Sequence, residues 1–519
     1  MAWRYLPVCI RLVSQRPETP SQSYSGIYLY NSAEKQRHFC ISVLHMSPEE
    51  LDKYKLYVSC KPLMQNNEVR WCQGFLGKTA SVLSEKDPLK EYLEYAMKNG
   101  FNLIPLDTHV GNSLQALNVA VMHCRAIHEE IPDEHFHDFT VDKAAELSSI
   151  SVRSSPFNFT GPALFTDFVS TGHVNAVIRD SSGVGRGFLS DMKYLENMCG
   201  ALVNSASGGA VGLLIGNLRK LNGDGDLMVI APWDRLLLSL GIDDVDSKTA
   251  FPKKTETASS ATTKSHPVLP LAISQHGHPF SWGSCVKLKK DTLVTNYHVI
   301  KPFIRSDSVV CSIVLGKDHS LVLESRDSVV VPFVDLDLAF IHLSEKNQLA
   351  LDHIKCAPIG FASEQNIADE VFTVGHGLLL NDSFLDPIVS KGHLCSVTNH
   401  NPYRSEYPQI PCMLVASSQC WNGSSGGGIF DSKGRLIGIV SSNAQVFVPS
   451  VSGLQYEDIK SEKVPSFCLC IPSELVFECY KSKVDETRKD NTIMLSDEVV
   501  KTWNLESSHV NIFEREAKL

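Results

Sequence analysis

The run Asn422-Gly423-Ser424-Ser425-Gly426-Gly427-Gly428-Ile429-Phe430-Asp431 places Ser425 between a preceding Gly-x and a following Gly-Gly, just before an apolar strand. Residues without bulky side chains let the backbone turn tightly enough for the N–H groups of Gly423 and Ser425 to point at one spot, an oxyanion hole. A purely structural turn has the same composition, so the motif needs partners. A serine hydroxyl is too weak an acid to attack a carbonyl unaided: an imidazole must take its proton, and a carboxylate must hold that imidazole in the right tautomer. Thr295-Asn296-Tyr297-His298-Val299-Ile300, ending the apolar run Leu293-Val294, offers His298. Farther on, Asp335 and Asp337 stand before the alternating strand Leu338-Ala339-Phe340-Ile341-His342-Leu343. In such a triad His298 deprotonates Ser425, an acyl-enzyme forms with its oxyanion on the Gly423 and Ser425 amides, and water releases the acid. No metal and no cofactor is required.

These residues need strands and tight turns to hold them, and the chain is long enough to supply them. With 519 residues it exceeds one domain, and a prior of about 100–200 residues per domain predicts two or three. Hydrophobic content of 43% and charged content of 20% suit a globular protein. A net charge of −10 without a basic tract argues against nucleic acid as partner, and no apolar run reaches the ~20 residues of a membrane span. The fifteen cysteines are odd in number and scattered, which reads as reduced thiols. Secretion is disfavoured by Asn422-Gly423-Ser424, a glycan acceptor that would lie in the active site.

The order His298, Asp337, Ser425 resembles the trypsin/chymotrypsin superfamily over roughly residues 275 to 480, and the Thr-Asn-x-His-Val phrase is similar to that of the high-temperature-requirement proteases. Trypsins carry a cysteine just after the histidine; here that place is Val299. The resemblance implies an all-β fold with a double β-barrel, and it favours Asp337 over Asp335 because Asp337 directly precedes the strand. Ser424 stands where trypsin has the aspartate that pairs with a newly cut amino terminus, so that zymogen switch is not expected. Gln419 falls near the specificity aspartate of trypsin, which predicts a neutral or small residue before the cut. Ser441 lies on the strand expected to pair with an extended substrate.

The first half echoes the second. Asn118-Val119-Ala120-Val121-Met122-His123 mirrors Asp337-Leu338-Ala339-Phe340-Ile341-His342, Gly200-Ala201-Leu202-Val203-Asn204 mirrors Gly427-Gly428-Ile429-Phe430-Asp431, and Ile230-Ala231-Pro232-Trp233 resembles Ile471-Pro472-Ser473. On that alignment Asn118 replaces Asp337 and Met198 replaces Ser425, with His45 a leftover histidine. Neither an amide nor a thioether can do the work of the residue it replaces. The expected organisation is a degenerate trypsin-like domain over 1–242, a flexible linker over 243–272, the protease domain over 273–480 and a charged tail over 481–519. The first residues read as a disordered lead-in, faintly like a mitochondrial presequence.

The tail ends Ala517-Lys518-Leu519, a variant of the tripeptide read by the peroxisomal import receptor. An intact protease half, a decayed copy and this terminus together resemble the trypsin-domain-containing peroxisomal leader-peptide-processing proteases, relatives of the plant glyoxysomal processing proteases. That resemblance implies a serine endopeptidase of the peroxisomal matrix that processes imported matrix proteins, including fatty-acid β-oxidation enzymes, and cleaves itself; self-association is allowed. The alternatives are a quality-control protease of the high-temperature-requirement type and a non-catalytic scaffold.

Overall fold

The computed structural model describes residues 3–16, 19–32, 38–65, 68–105, 113–240, 266–316, 319–323, 328–380, 386–404, 407–448, 460–485 and 493–504. The chain forms two compact units: Met1–Lys264 with Asp386–Lys391 and Gln445–Pro465, and Ser265–Leu385 with Gly392–Ala444 and Ser466–Leu519. The fold is all-β.

In the first unit, strands Trp3–Ser14, Gln22–Asn31, His38–His45, Leu117–His123, Cys72–Ser81 and Tyr54–Cys60 follow one another round a sheet, and the last pairs with the first to close it. A second ring runs through Ser149–Ser154, Phe168–Arg179, Gly185–Ser190, Gly225–Pro232, Ala210–Arg219 and Leu202–Ser205, the last again pairing with the first. Numbered along the chain, both rings have the spatial order 1-2-3-6-5-4. The alternation that builds them is plain in Ser149–Ser154, where Ile150, Val152 and Ser154 are buried between more exposed neighbours. Closure removes the sheet edges that would otherwise leave backbone groups unpaired.

Glu370–Gly375, Ile388–His400, Ile410–Ala416, Lys460–Pro472, Leu436–Val448 and Gly428–Asp431 form a closed barrel of the same 1-2-3-6-5-4 order. The other sheet runs His319–Val322, Val309–Gly316, Val268–Gln275, His278–Lys289, Thr292–Asn296, Leu338–His342 and Val329–Val330. With its two outermost pieces, consecutive in the chain, taken as the fifth strand, the order is again the same. Each unit's second ring leads into a helix, Trp233–Ser239 and Ser473–Lys483. The degenerate copy is therefore a full repeat of the architecture, down to strand order.

Three boundary expectations are corrected. The amino terminus is no lead-in: Trp3–Ser14 is a barrel strand with Trp3, Tyr5, Val8 and Ile10 buried, and each such side chain contributes about 1.5–3 kcal/mol. The proposed linker 243–272 overlaps a strand that begins at Val268, because Val268-Leu269-Pro270-Leu271 is apolar enough to be buried; residues 243–265 lie outside the described residues. The segment 481–519 is not simply a charged tail. The helix Ser473–Lys483 runs into it, and the helix Asp497–Asn504 buries Val499 and donates the Trp503 indole N–H to the Cys412 carbonyl at 3.0 Å.

All fifteen cysteines are free thiols. Among the described residues no helix is long and apolar enough to cross a membrane.

Candidate active site

His298 sits on the helix Tyr297–Arg305 directly after the strand Thr292–Asn296. The neighbouring strand begins at Leu338, and Asp337 immediately before it adopts a left-handed conformation with φ 56°. That turn aims the Asp337 carbonyl and carboxylate back at the helix start. The carbonyl accepts from the Tyr297 amide at 3.1 Å and from Asn296 Nδ2 at 3.0 Å. One carboxylate oxygen accepts the His298 amide at 2.8 Å, and the other lies 2.7 Å from His298 Nδ1. Held so, Nδ1 carries the proton and Nε2 presents a lone pair, the tautomer a general base needs. Asp335, the competing acid, is exposed.

Ser441, expected to face substrate, does something further. Its hydroxyl donates to the same Asp337 oxygen at 3.1 Å, while its carbonyl accepts the Ser425 hydroxyl at 2.9 Å. One residue thus links acid and nucleophile positions. Gln419 is half-buried on the loop before the nucleophile turn, its carbonyl held by the Thr373 hydroxyl at 2.8 Å.

The turn itself depends on two glycines with positive φ, Gly423 at 92° and Gly426 at 83°. A Cβ on Gly426 would lie 2.0 Å from the Ser284 carbonyl oxygen, and one on Gly423 would lie 2.0 Å from the Trp282 indole nitrogen. Ser424 closes the loop on itself, its buried hydroxyl accepting the Trp421 amide at 3.1 Å. Among the described residues, the amides of Gly423 and Ser425 donate to no backbone carbonyl, as an oxyanion hole requires.

Sequence reasoning missed the residues beneath the turn. Ser284 donates its hydroxyl to the Gly423 carbonyl at 2.8 Å and accepts the His376 amide at 2.8 Å, and Thr295 donates to the Ser284 carbonyl at 2.7 Å. Trp282 Nε1 donates to the His376 carbonyl at 3.0 Å. Apart from the Thr295–Ser284 pair, eleven residues apart, these partners are far apart in the chain, so spacing carries no signal for them. Burial holds the His376 imidazole down to about 4, so it stays neutral at pH 7.

Residues 283–439 match the trypsin-like peptidase domain. Solved structures similar to the chain include the HtrA-type protease AlgW with tripeptide, at 18% identity, covering 44% of this chain and 63% of that one with a TM-score of 0.30. Deg5 is 18% identical over 42% of this chain and 88% of its own, TM-score 0.29. The active form of the Rv3671c protease from M. tuberculosis is 13% identical over 42% and 81%, TM-score 0.28. The chain spans less than two thirds of the AlgW chain it matches. A comparison with curated proteins found no match.

The peptidase domain fixes which residues of the first unit stand at the triad positions. Gly426 donates to the Val440 carbonyl at 2.8 Å, and the preceding Ser425 carbonyl accepts from Ser284 at 2.8 Å. In the first unit Gly200 donates to Leu214 at 2.8 Å, and the preceding Cys199 carbonyl accepts from Ser25 at 2.9 Å. Cys199, not Met198, therefore stands at the nucleophile position. The sequence alignment slipped by one because Gly426-Gly427-Gly428 offers three glycines to match against Gly200. Only Gly426 shares its left-handed backbone, φ 83° against 86°. On the other strands, Ser42 donates to the Ser25 carbonyl at 2.6 Å as Thr295 does to Ser284, which puts His45 three residues on at the place of His298. Ala120 pairs with Ser42 as Ala339 pairs with Thr295, leaving Asn118 at the place of Asp337, as the sequence suggests.

The tripeptide Ala517-Lys518-Leu519, expected from the sequence to be a targeting signal, lies outside the described residues.

Proposed function

We propose that this chain is a serine endopeptidase in which His298 is the general base, Asp337 its orienting acid, Ser425 the nucleophile and the Gly423 and Ser425 amides the oxyanion hole. The observation that carries the reading is the 2.7 Å contact of Asp337 with His298 Nδ1, on a domain whose Ser425 lies at the tip of a glycine turn. The Ser425 hydroxyl rotates from the Ser441 carbonyl to His298 Nε2 and attacks the scissile carbonyl as its proton passes to the imidazole. The oxyanion rests on the two amides, and His298 protonates the leaving amine and then activates water for deacylation. Gln419 favours a neutral residue before the cut, since it offers no charge to a Lys or Arg side chain. Covalent labelling by a fluorophosphonate tests the assignment: the wild type should be labelled and Ser425→Ala should not, whereas an unlabelled wild type argues for a scaffold.

The finer reading is limited processing of peroxisomal matrix proteins, including β-oxidation enzymes, with self-cleavage, rather than general quality control. Its support is the tripeptide Ala517-Lys518-Leu519, whose small residue, cation and terminal leucine suit the import receptor. The last dozen residues fused to a fluorescent protein should reach peroxisomes and lose that address without Leu519. A diffuse signal from the intact fusion removes the main reason for choosing processing over general proteolysis.

A further inference from the structure

The second ring of the first unit, from Ser149–Ser154 round to Leu202–Ser205, has an open mouth that the closed barrel beginning at Glu370 lacks. Before that barrel the chain makes a parallel bridge from Ile359 to Leu436. It then forms the short 3-10 helix Ala362–Glu364, whose Ala362 is fully buried in the barrel's apolar cluster. The helix Ser473–Lys483 holds this turn down. The Ser473 hydroxyl donates to the Gly360 carbonyl at 2.8 Å, and the Glu474 carboxylate accepts the Ala362 and Ser363 amides at 3.1 and 2.7 Å. The first unit makes the same bridge, from Val141 to Ala210. Its next shared landmark is a left-handed residue at the ring entrance: Leu147 donates to the Val174 carbonyl at 2.8 Å, as Ala368 does to the Leu394 carbonyl at 2.8 Å. From Val141 to Leu147 is six steps along the chain, and from Ile359 to Ala368 nine, so the turn that carries Ala362 is three residues shorter in the first unit.

Trp233 and Asp234 follow the strand end at Pro232 as Ser473 and Glu474 follow Pro472. The Trp233 ring packs edge-on against Phe139 and forms a wall, while Asp234 is exposed. What remains is a cavity of about 480 Å³, a size usual for small-molecule sites, which favour barrel mouths. Its floor is apolar: Val177, Phe188 and Val211, all members of the ring's own core cluster, with Trp233 beside them. Its rim is charged, and most of that charge is neutralised locally. Arg179 pairs with the two Glu146 oxygens at 2.6 and 2.9 Å, Arg186 with Asp180 at 2.7 Å, and Arg235 with Asp87 at 2.7 Å. The Asp142 carboxylate accepts the hydroxyls of Ser205 and Ser207 at 2.6 and 2.7 Å. Two lining groups are left over: among the described residues, the Lys143 ammonium and the Asp234 carboxylate make no hydrogen bond or ion pair. An apolar hollow flanked by one unpaired cation and one unpaired anion fits a molecule that carries both opposite charges and an apolar body.

We propose that the mouth of this ring binds a small zwitterion with an apolar body, a free apolar amino acid or a short apolar peptide. The ligand carboxylate faces Lys143, its ammonium faces Asp234, and its side chain takes the space that the Ala362 turn fills in the other barrel. The site uses none of His298, Asp337 and Ser425, so it stands or falls apart from the peptidase reading.

The test is equilibrium dialysis of the folded full chain against four probes: L-leucine, the dipeptide leucyl-leucine, the neutral N-acetyl-leucine amide, and hexanoate, which has only the carboxylate. At least one of the two zwitterions should bind at one site per chain with a Kd below about 1 mM, and the other two probes should not. Which zwitterion binds more tightly tells a free amino acid from a peptide as the source. Lys143→Met and Asp234→Asn each remove one exposed charge at little change in size, and each should weaken binding about tenfold. Ala144→Trp, which fills the mouth from the shortened turn, should abolish binding; the two charge variants carry the test if that chain fails to fold. Binding of hexanoate or of the neutral amide as tight as that of the zwitterions overturns the ligand class. Undiminished binding in both charge variants, or no saturable binding of either zwitterion, removes the site.

Discussion

The Ser425 hydroxyl rests on the Ser441 carbonyl at 2.9 Å, so in the proposed mechanism the first event is a side-chain rotation toward His298 Nε2. Ser425→Ala leaves the packing nearly intact and should abolish peptide turnover, with a loss of roughly 10⁴-fold or more in kcat. His298→Ala should do the same, and the double variant should be no worse than either single one, because the residues act as a unit. Asp337→Asn replaces the acceptor that fixes the imidazole and should cost about 10⁴-fold, while Asp335→Asn should leave kcat unchanged. The reverse ranking of the two acids in steady-state kinetics would reassign the carboxylate. Ser441→Ala removes one hydrogen bond from Asp337, worth about 1 kcal/mol, so kcat should fall by about three- to tenfold with the triad otherwise in place.

At the scale of elements, the nucleophile turn is positioned by the strands beneath it as well as by its own glycines. Gly426→Ala forces an L side chain into φ 83° and drives its Cβ to 2.0 Å from the Ser284 carbonyl, which is backbone and cannot swing away. The turn must shift. We expect a loss of at least about 2 kcal/mol in stability together with most of the activity, measured by thermal melting and by fluorophosphonate labelling. Wild-type values in both measurements would show that the turn is held less tightly than its contacts indicate. The helix Asp497–Asn504 is a separate case. Val499 is fully buried there, so Val499→Asp should lower the melting temperature by several degrees, whereas Lys501→Asp, on the exposed face, should not.

For the whole molecule, three desolvated histidines contribute to the response to acid. His376, His45 and His266 are each held down to about 4 by desolvation, against an ordinary value of 6.5. Between those values the unfolded chain binds protons that the folded chain refuses, so stability falls as pH drops from about 6.5 toward 4 and is lost in full only below 4. For His376, 6% exposed, the loss at the low end is about 3 kcal/mol. Melting temperature measured from pH 7.5 to 4 should decline, and His376→Asn, which cannot protonate, should flatten the decline. A profile with the same slope in that variant would place the acid sensitivity elsewhere.

The local chemistry was legible in the sequence because it depends on neighbours in the chain: a histidine at a strand end, an aspartate opening the next strand, a serine between glycines. The repeat was legible for the same reason, as strand patterns recurring in one order. What chain order could not carry was decided by closure of the sheets. Barrel pairing brings Ser441 onto Asp337 and Ser284 under Gly423, contacts that span 104 and 139 residues. It also made Trp3–Ser14 and Val268–Gln275 strands, because a ring lacking one member leaves a whole edge of backbone groups unpaired. The clearest case is Cys199. Any of three consecutive glycines can be matched to Gly200 by composition, but only the one that turns left-handed beneath the Ser284 carbonyl is its counterpart, and backbone conformation is set by the fold.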